Sequence, residues 1–472
     1  MINKQNLKNI ISDVRFWILL LFLIRLIGIT NAPLETGHNW RQSLTNMIAR
    51  NFLEGEANLL YPRIDMAGTQ TGIIGSEFPV FNYLIYLVSS VFGYAHWYGR
   101  LINLVISSIG ALYFFKLVKG IFDKNIAFNA TIVLLVSIWF SFSRKIMPDT
   151  FSVSLVLISL YFVRKYWYKG RIYYLILFFF LSMIGVMSKI PAVSLISLLA
   201  VPLFFRKYRN KRLLAIYLTA GLSMVIALWW YFYWVPYLVD EYKYALFFPK
   251  SLYEGFAEVS KLIPQALEKF YFSSFNSYLA FLSFIGGLYF VFKERNKANK
   301  IGFALVTLVF LVFIIKTGSV FPKHNYYIIP YTPVMAVIAG FFIAKVPKKY
   351  QVVLLILIGV EGIANQQHDF FIKENKKYLL KLEQIADKHV DEDELIVTNG
   401  GQSPQQMYFI NRRGWTVNDT VLHDSGNIER FAQKGAKYLV IDKNSFERAL
   451  NYPVEYSGKD FIIYTLDNKP ED

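Results

Sequence analysis

Apolar residues follow one another with little interruption over eleven stretches of the chain, and short polar segments separate these stretches. A helix that crosses a bilayer perpendicularly needs about 20 apolar residues, and several stretches are somewhat shorter. The pattern therefore predicts an α-helical polytopic membrane protein with about eleven transmembrane helices. The predicted spans cover residues 14–31, 97–116, 125–142, 150–164, 172–188, 190–205, 213–234, 276–292, 301–316, 328–344 and 351–365.

One further apolar stretch, residues 78–93, decides the topology. If it lies on the membrane surface and the N-terminus is cytoplasmic, the cytoplasmic segments hold 22 lysine and arginine residues. Counting it as a span would place these basic clusters outside, against the positive-inside rule. We therefore expect a surface helix at 78–93 and a C-terminus outside the cytoplasm. The cytoplasmic segments are then 1–15, 116–124, 164–171, 206–212, 293–300 and 345–349.

The composition agrees with a membrane protein and excludes several other classes. Of the 472 residues, 55% are hydrophobic and 18% are charged, against roughly 25% charged residues in soluble domains. The chain has no cysteine, which excludes a disulfide scaffold, a thiolate metal site and a cysteine nucleophile. The net charge is +17, yet residues 366–472 hold 14 basic and 18 acidic residues. The excess positive charge lies between the apolar stretches, so we expect membrane lipids, and no nucleic acid, as partners.

The C-terminal tail reads as a small α/β domain on the extracytoplasmic side. Its Gly400-Gly401 pair follows an apolar strand run, but no G-x-G-x-x-G or Walker pattern accompanies it, so no nucleotide site is predicted. The predicted domains are a transmembrane domain, 1–365, with a first outer loop at 32–96, and the tail domain, 366–472. Within the tail, the predicted strands cover 394–398 and 438–442, and the predicted helices cover 376–390, 403–411 and 426–434.

The first outer loop begins with an amphipathic helix, predicted at 37–52. Its apolar face carries Trp40, Leu44, Met47 and Ile48, and its polar face carries His38, Arg41, Gln42 and Thr45. One interpretation is a helix that lies on the membrane with its polar face in water. The other rests on the mixture of imidazole, guanidinium, amide and hydroxyl groups, which can hydrogen-bond a phosphate or a sugar hydroxyl.

Two carboxylates stand where outer loops meet the bilayer, Glu77 before Phe78-Pro79 and Asp149 after Pro148. Glu77 fits a carboxylate at a helix start, and Asp149 fits a helix N-cap. Alternatively, both side chains face one cavity and bind a divalent cation that holds a phosphate.

Few basic residues lie on the side that the topology places outside. Lys189 stands at one outer turn, and a second outer turn holds Lys323, His324 and Tyr326. A single lysine at the end of a span usually extends its ammonium group to the membrane surface. Because these turns come from different spans and open on one face, they also suit an anionic substrate carried on a lipid.

Five short motifs resemble a known family. The sequence is similar to bacterial GT-C glycosyltransferases of family 39, the group of the protein O-mannosyltransferases and the lipid A aminoarabinose transferase, over roughly residues 14–345. The motifs are His38-Asn39-Trp40-Arg41-Gln42, Ala49-Arg50-Asn51-Phe52, Tyr61-Pro62-Arg63, Gly75-Ser76-Glu77-Phe78-Pro79 and Met147-Pro148-Asp149, followed by a Lys323-His324-x-Tyr-Tyr stretch.

The resemblance implies a GT-C fold and transfer of a sugar, with inversion, from a polyprenyl-phosphate donor to an acceptor hydroxyl. The family's general base is an acidic residue of the first loop, and its motif position falls on His38 here, so either His38 or the nearby Glu35 is the expected base. Glu77 and Asp149 match positions that bind a metal or position the phosphate. The resemblance leaves open whether the reaction requires a divalent cation (Mg²⁺, Mn²⁺ or Zn²⁺). Residues expected to bind the phosphate are Arg41, Lys189, Lys323, His324 and Tyr326.

The expected location is the bacterial cytoplasmic membrane, with the active site and the tail domain outside the cytoplasm. The acceptor is a glycan, a lipid or a protein. Two alternatives remain: a transporter or flippase of lipid-linked saccharides, and a non-catalytic scaffold for envelope assembly. A transporter predicts inverted repeats and charged residues near the bilayer midplane. The candidate polar residues instead gather at one face.

Overall fold

The computed structural model describes residues 4–208, 210–246 and 249–466 of the chain. Arg209, one of the basic residues of the 206–212 loop, and residues 467–472 of the tail lie outside them. The helices of the first half are α1 (Lys4–Ile11), α2 (Val14–Arg25), α3 (Asn39–Glu54), α4 (Val80–Phe92), α5 (Tyr98–Ile121), α6 (Lys124–Val136), α7 (Trp139–Phe142), α8 (Pro148–Lys169), α9 (Ile172–Ser188), α10 (Val193–Ile196) and α11 (Arg212–Trp229).

The second half holds the remaining helices and all five described strands. The helices are α12 (Val235–Tyr242), α13 (Leu252–Ser260), α14 (Ile263–Glu268), α15 (Tyr278–Lys293), α16 (Lys297–Thr317), α17 (Val320–Lys323), α18 (Thr332–Lys345), α19 (Lys348–Gln366), α20 (Leu382–His389), α21 (Gln405–Ile410), α22 (Asp419–Leu422) and α23 (Ser425–Gln433). The strands are β1 (Leu395–Thr398), β2 (Gly414–Thr416), β3 (Ala436–Asp442), β4 (Val454–Ser457) and β5 (Phe461–Thr465).

The chain divides into two compact units. The first, here called the helical unit, comprises residues 1–29, 100–233 and 247–370. The second, here called the mixed unit, comprises residues 30–99, 234–246 and 371–472. The first outer loop and the tail, which the sequence predicts as parts of different domains, therefore belong to one unit.

The helical unit exposes apolar side chains where a soluble protein would expose polar ones. On α11, Leu214, Leu218, Leu222 and Val225 are each 57–67% exposed and lie along one face of the helix. A row of exposed leucine and valine is suited to lipid tails and not to water. The chain is thus a helical membrane protein with a small C-terminal sheet.

Among the described residues, three continuous helices are long and apolar enough to cross a membrane on their own. They are Tyr98–Ile121, Lys297–Thr317 and Arg212–Tyr242, in which a π-helical turn at Trp230–Trp234 joins α11 to α12. A fourth candidate is the pair Ile263–Ser273 and Tyr278–Lys293, which is bent by 97°. Other predicted spans appear as shorter apolar helices, so the number of eleven stays a prediction. The stretch 78–93, predicted as a surface helix, appears as α4, whose 13 residues are too few to span a bilayer core of about 30 Å perpendicularly.

The predicted span 125–142 is broken into α6 and α7 at Ser137. Breaking a helix leaves its last carbonyl groups without intrahelical partners. The side chain of Gln366, at the end of α19, supplies a partner: its Nε2 donates to the Val136 and Ser137 carbonyls at 3.2 and 3.1 Å. Its Oε1 accepts from the Ser141 hydroxyl at 2.8 Å. A buried amide thus satisfies the backbone groups at a helix break that hydrophobicity alone does not reveal.

The mixed unit is built around a five-stranded sheet in the order β2-β1-β3-β5-β4. β1 pairs in parallel with β2 and β3, and β5 pairs antiparallel with β3 and β4. One face of the sheet shares a core with α3: Met47 and Phe52 of the helix belong to the same buried cluster as Ile396 and Tyr408 of the tail. The two predicted strands of the tail are confirmed as β1 and β3.

The loop after α3 carries a carboxyl group whose ionisation depends on folding. Burial raises the pKa of Asp65 to about 7, and the nearby Glu54 raises it further, while a hydrogen bond from Asn51 Nδ2 at 2.8 Å and the charges of Arg50 and Arg413 oppose this. A pKa raised in the folded state means that folding favours the protonated form. The stabilisation is therefore complete at about pH 4 and is lost as the pH rises to about 7.

We expect the Asp65→Asn variant to match the wild type in thermal stability near pH 4 and to exceed it at pH 8. The amide cannot ionise, so it avoids the cost of a buried charge, which is on the order of 4 kcal/mol for a shift of this size. Unfolding temperatures of both proteins from pH 4 to 8 measure the effect, and Asp240→Asn, a change at a 93% exposed side chain, is the control. A difference between wild type and Asp65→Asn that does not change with pH would contradict the assignment.

Candidate functional site

A buried lysine in the helical unit faces a carboxylate and two aromatic rings. Lys189 follows α9, is 6% exposed, and its Nζ lies 3.9 Å from Asp149 Oδ1. The same Nζ lies 5.5 Å from the ring centroids of both Tyr326 and Tyr327. An ammonium group in this low-dielectric setting has a strong field and can bind an anion that enters beside it. These residues, with His324, are called the Lys189 cluster below.

Asp149 does not act as a helix cap. The N-cap of α8 is Met147, which makes no side-chain cap bond, while Pro148 fills the first helical position, where its missing N–H costs nothing. Asp149 in the first turn is 3% exposed and pairs with Lys189. Ser152, one turn later, donates its hydroxyl to the Gly185 carbonyl at 2.6 Å and to the Lys189 carbonyl at 3.3 Å, which ties α8 to the end of α9. The capping interpretation is therefore wrong, and the carboxylate belongs to the cluster.

The second outer turn contributes rings to the cluster but not its lysine. The His324 ring lies 5.4 Å from that of Tyr326 and 6.2 Å from that of Tyr327, and the two tyrosine rings stack at 4.7 Å. Lys323 is exposed, and its side chain makes no hydrogen bond or ion pair within the described part of the chain. Of the residues predicted in this turn, the structure therefore brings His324 and Tyr326 together with Lys189.

The loop from Phe142 to Asp149 is held by a residue that sequence reasoning did not select. Asn103, in the second turn of the apolar helix α5, places its Nδ2 within 3.0, 2.9 and 3.1 Å of the carbonyl oxygens of Phe142, Lys145 and Met147. Its Oδ1 accepts from the Thr150 hydroxyl at 2.9 Å. An asparagine inside a membrane span is costly unless it is satisfied, and that cost was the available signal.

Two other cations of this loop have structural partners. Lys145 pairs with Asp369 at 3.0 Å, and the guanidinium carbon of Arg144 lies 3.9 Å from the ring centroid of Phe370. Both side chains are 1% exposed. They connect the loop to the end of the helical unit and leave Lys189 as the cation of the cluster.

The mixed unit holds a second polar group, here called the Arg41 cluster, which comprises Glu35, His38, Arg41, Gln42 and Glu77. Arg41 Nη2 donates to Glu77 Oε2 at 2.7 Å, and the two side chains are 11% and 18% exposed. Gln42 Nε2 donates to Glu35 Oε1 at 2.8 Å, and Glu35 is 2% exposed. The helix that presents these residues is buried on its polar face as well, which excludes the interpretation of a surface helix with its polar face in water.

His38 begins α3 with an unusual backbone conformation. Its φ and ψ angles are 58° and 35°, the left-handed region, and its side chain does not cap the helix. For a residue other than glycine this conformation costs about 1–2 kcal/mol. Strain of this kind persists where the surroundings hold it, and it concentrates at functional sites.

The described residues do not form a metal site. No group of three or more histidine, aspartate and glutamate side chains lies close enough to hold an ion in the described ranges. Glu77 is paired with Arg41 and Asp149 with Lys189, so each carboxylate has a cation beside it already. The binding of one divalent cation by Glu77 and Asp149 therefore stays a prediction.

Residues 76–234 match the family model described as dolichyl-phosphate-mannose-protein mannosyltransferase. Two crystal structures of ArnT from Cupriavidus metallidurans are similar to the chain at 11% sequence identity. The apo structure has a TM-score of 0.63 over 95% of this chain and 97% of that chain. The structure bound to undecaprenyl phosphate has a TM-score of 0.64 over 95% and 98%. The resemblance to GT-C glycosyltransferases drawn from the motifs is thus confirmed.

An oligosaccharyltransferase from Archaeoglobus fulgidus, crystallised with Zn and sulfate, has a TM-score of 0.60 at 13% identity, over 89% of this chain and 68% of that chain. No curated protein sequence matches the chain. At such low identities the structural matches establish the fold alone.

Proposed function

Because the chain shares the fold of these glycosyltransferases, we propose that it is a membrane glycosyltransferase that moves a sugar from a polyprenyl-phosphate donor to an acceptor hydroxyl with inversion. The reaction takes place on the extracytoplasmic side of a bacterial cytoplasmic membrane. The observation that carries the proposal is the Lys189 cluster, a buried cation beside a carboxylate and two tyrosine rings. The ArnT structure with undecaprenyl phosphate supports the donor class, and the family match supports the reaction class.

The proposed reaction needs a stabilised leaving group. The acceptor oxygen attacks the anomeric carbon and forms the new glycosidic bond, while the bond from that carbon to the phosphate oxygen breaks and its electrons stay on the phosphate. Lys189 stabilises the negative charge of the departing polyprenyl phosphate. The ring of Tyr326 lies 5.5 Å from its ammonium group, and His324 packs against Tyr326. A preorganised cation in a dry site stabilises such charge far more than it would in water. Arg41 is proposed as a second phosphate ligand, and Lys323, at the surface, as a weaker one.

The acceptor proton needs a base, for which the Arg41 cluster offers His38 and Glu35. Glu35 already accepts a hydrogen bond from Gln42 Nε2 at 2.8 Å, so its Oε1 is engaged within the protein. His38 is held in a strained conformation at the start of α3. We propose His38 as the base and Glu35 as the residue that orients Gln42 beside it.

We expect His38→Gln to lower kcat by 10²–10⁴-fold, the usual contribution of a general base, and Glu35→Gln to lower it much less. The pH dependence of kcat/KM separates the two. The wild type and Glu35→Gln should lose activity on acidification in the range where histidine titrates, and this limb should be absent from the residual activity of His38→Gln. An acidic limb that survives in His38→Gln and disappears in Glu35→Gln would assign the base to Glu35.

The direct test of the proposed function is release of polyprenyl phosphate. The purified chain in lipid nanodiscs is incubated with a panel of radiolabelled undecaprenyl-phosphate sugars and an envelope extract as acceptor. We expect one donor to yield free undecaprenyl phosphate and a labelled acceptor in equal amounts. Movement of intact donor between leaflets of proteoliposomes, with no released phosphate for any donor, would instead establish a transporter. If neither release of undecaprenyl phosphate nor movement of the donor is observed, both the transferase and the transporter function are refuted.

A further inference from the structure

The mixed unit contains a polar cavity that the transfer reaction does not use. Its volume is about 320 Å³ and it lies at the carboxyl ends of the parallel strands. Asn399, Gly400 and Gly401 follow β1, Asp419 follows β2, and Ser445 follows β3. The chain leaves β1 for β2 on one side and later returns to β3 on the other side. In open parallel sheets, ligands bind at this kind of switch point.

The floor of the cavity is a closed network of hydrogen bonds. Asp442 accepts from the Tyr378 hydroxyl, from Gln406 Nε2 at 3.3 Å and from Asn444 at 2.9 and 3.0 Å. Gln406 Oε1 accepts from the Thr398 hydroxyl at 2.7 Å. These groups have used their hydrogen-bonding capacity on one another, so the floor is rigid and preorganised.

The rim, in contrast, presents groups that the protein does not use. Asp419 accepts at Oδ1 from Asn399 Nδ2 at 2.8 Å, and its Oδ2 has no hydrogen-bond donor within the described residues. The side-chain amide of Asn418, the Oε1 of Gln405 and the ammonium group of Lys376 likewise make no hydrogen bond within the part of the chain that the structure describes. The rim therefore offers both donors and acceptors to a ligand.

The chemistry of the lining excludes two ligand classes. An apolar ligand would find Leu379 as the sole large aliphatic side chain that lines the cavity in the described residues. A phosphate would find one cation, Lys376, against two carboxylates, Asp419 and Asp442, and no arginine among the described lining residues. Because hydroxyl groups both donate and accept, a compound with several neighbouring hydroxyls satisfies such a rim.

We propose that this cavity binds a neutral saccharide through its vicinal hydroxyl groups. Asp419 and Asn418 bind adjacent hydroxyls from one side, and Gln405 binds from the other. The glycine pair gives the sugar access: a Cβ at Gly401, where φ is +64°, would come within 3.0 Å of Asn418 Oδ1. Binding here requires no donor lipid, so the proposal stands or falls separately from the transfer reaction.

The test is saturation-transfer NMR on the full chain in lauryldimethylamine oxide, a detergent without a sugar headgroup. The probes are mannose, galactose, N-acetylglucosamine and chitobiose. The Ser445→Trp variant fills the cavity from an exposed position, and Ser457→Trp, at an exposed serine of the edge strand β4, is the matched control. We expect at least one sugar to bind the wild type and Ser457→Trp alike, and its signal to fall at least fivefold in Ser445→Trp.

The Asp419→Asn variant tests the chemistry with little change of shape, since its amide oxygen can still accept from Asn399. We expect a three- to tenfold weaker sugar affinity for it. Absence of binding by every probe, equal binding by Ser445→Trp, or equal loss in both tryptophan variants would overturn the proposal. Displacement of the sugar by inorganic phosphate would also overturn it, because the cavity would then be an anion site.

Discussion

Replacing Lys189 by methionine is expected to lower the rate of sugar transfer by 10²–10³-fold. Methionine keeps the length and shape of the side chain but removes the charge that stabilises the departing phosphate. Removing a single preorganised donor at a developing negative charge costs about 2.7–4 kcal/mol in comparable enzymes. The rate of polyprenyl phosphate release measures the effect. The matched control is Lys349→Met, since Lys349 also contacts a tyrosine ring, at 4.6 Å, but is exposed; its activity should stay unchanged.

A structural role for the pair has to be separated from this chemical role. Breaking a buried ion pair from one side costs about 3–5 kcal/mol, whereas replacing both charges is often neutral. Lys189→Met and Asp149→Asn alone are therefore expected to destabilise the protein, and the double variant to recover the thermal stability of the wild type. We expect the double variant to fold but to remain inactive. Recovery of transfer together with stability would show that the pair serves folding alone.

Much of the helical architecture could be predicted, because lipid-facing and core positions in a membrane helix are both apolar. The predicted span 172–188 coincides with α9, and 301–316 lies within α16. The predicted span 125–142 is interrupted because a polar side chain supplies the hydrogen bonds that the helix backbone would otherwise make. The break at Ser137 depends on Gln366, which is 229 residues away in sequence. No local pattern contains such a contact.

The candidate site was predictable in its residue types but not in its pairing. Acidic and basic residues at the ends of spans are visible in the sequence: a motif contains Asp149, and the position of Lys189 at an outer turn selects that lysine. Their distance of 3.9 Å follows from the packing of α8 against the end of α9, which depends on Ser152 and the small Gly185. Sequence reasoning did not select Asn103, because a single polar residue in an apolar span indicates no particular partner. Its role follows only from its contacts with three carbonyl groups of another segment.

In the first outer loop, the predicted amphipathic helix is confirmed, but the pattern did not predict what surrounds its two faces. An amphipathic helix was predicted at 37–52, and α3 covers Asn39–Glu54. The polar face was open to two interpretations, and its burial excludes water as the surrounding. The partner that buries the apolar face lies in the tail, in residues such as Met407 and Ile410. Sequence patterns report that a face is apolar, but not what covers it.

Removing the carboxylate of Glu77 is the second change with a large expected effect. We expect Glu77→Gln to lower transfer by at least 10²-fold, because Arg41 loses the partner that fixes its guanidinium group at 2.7 Å. A misplaced cation binds the phosphate of the ground state and the transition state less selectively, so kcat should fall more than KM rises. The exposed pair of Lys377 and Glu374, at 2.6 Å, provides the control, and Glu374→Gln should leave the kinetics unchanged.

A charge exchange decides whether the pair serves only to hold α3. The double variant Arg41→Glu/Glu77→Arg restores an ion pair between the same two positions, so it should recover stability lost in either single variant. It places a carboxylate where the proposed reaction needs a cation, and transfer should therefore stay at least 10²-fold below the wild type. If the exchanged pair restores transfer, a cation at position 41 is not required for the reaction, and the pair serves only to hold α3.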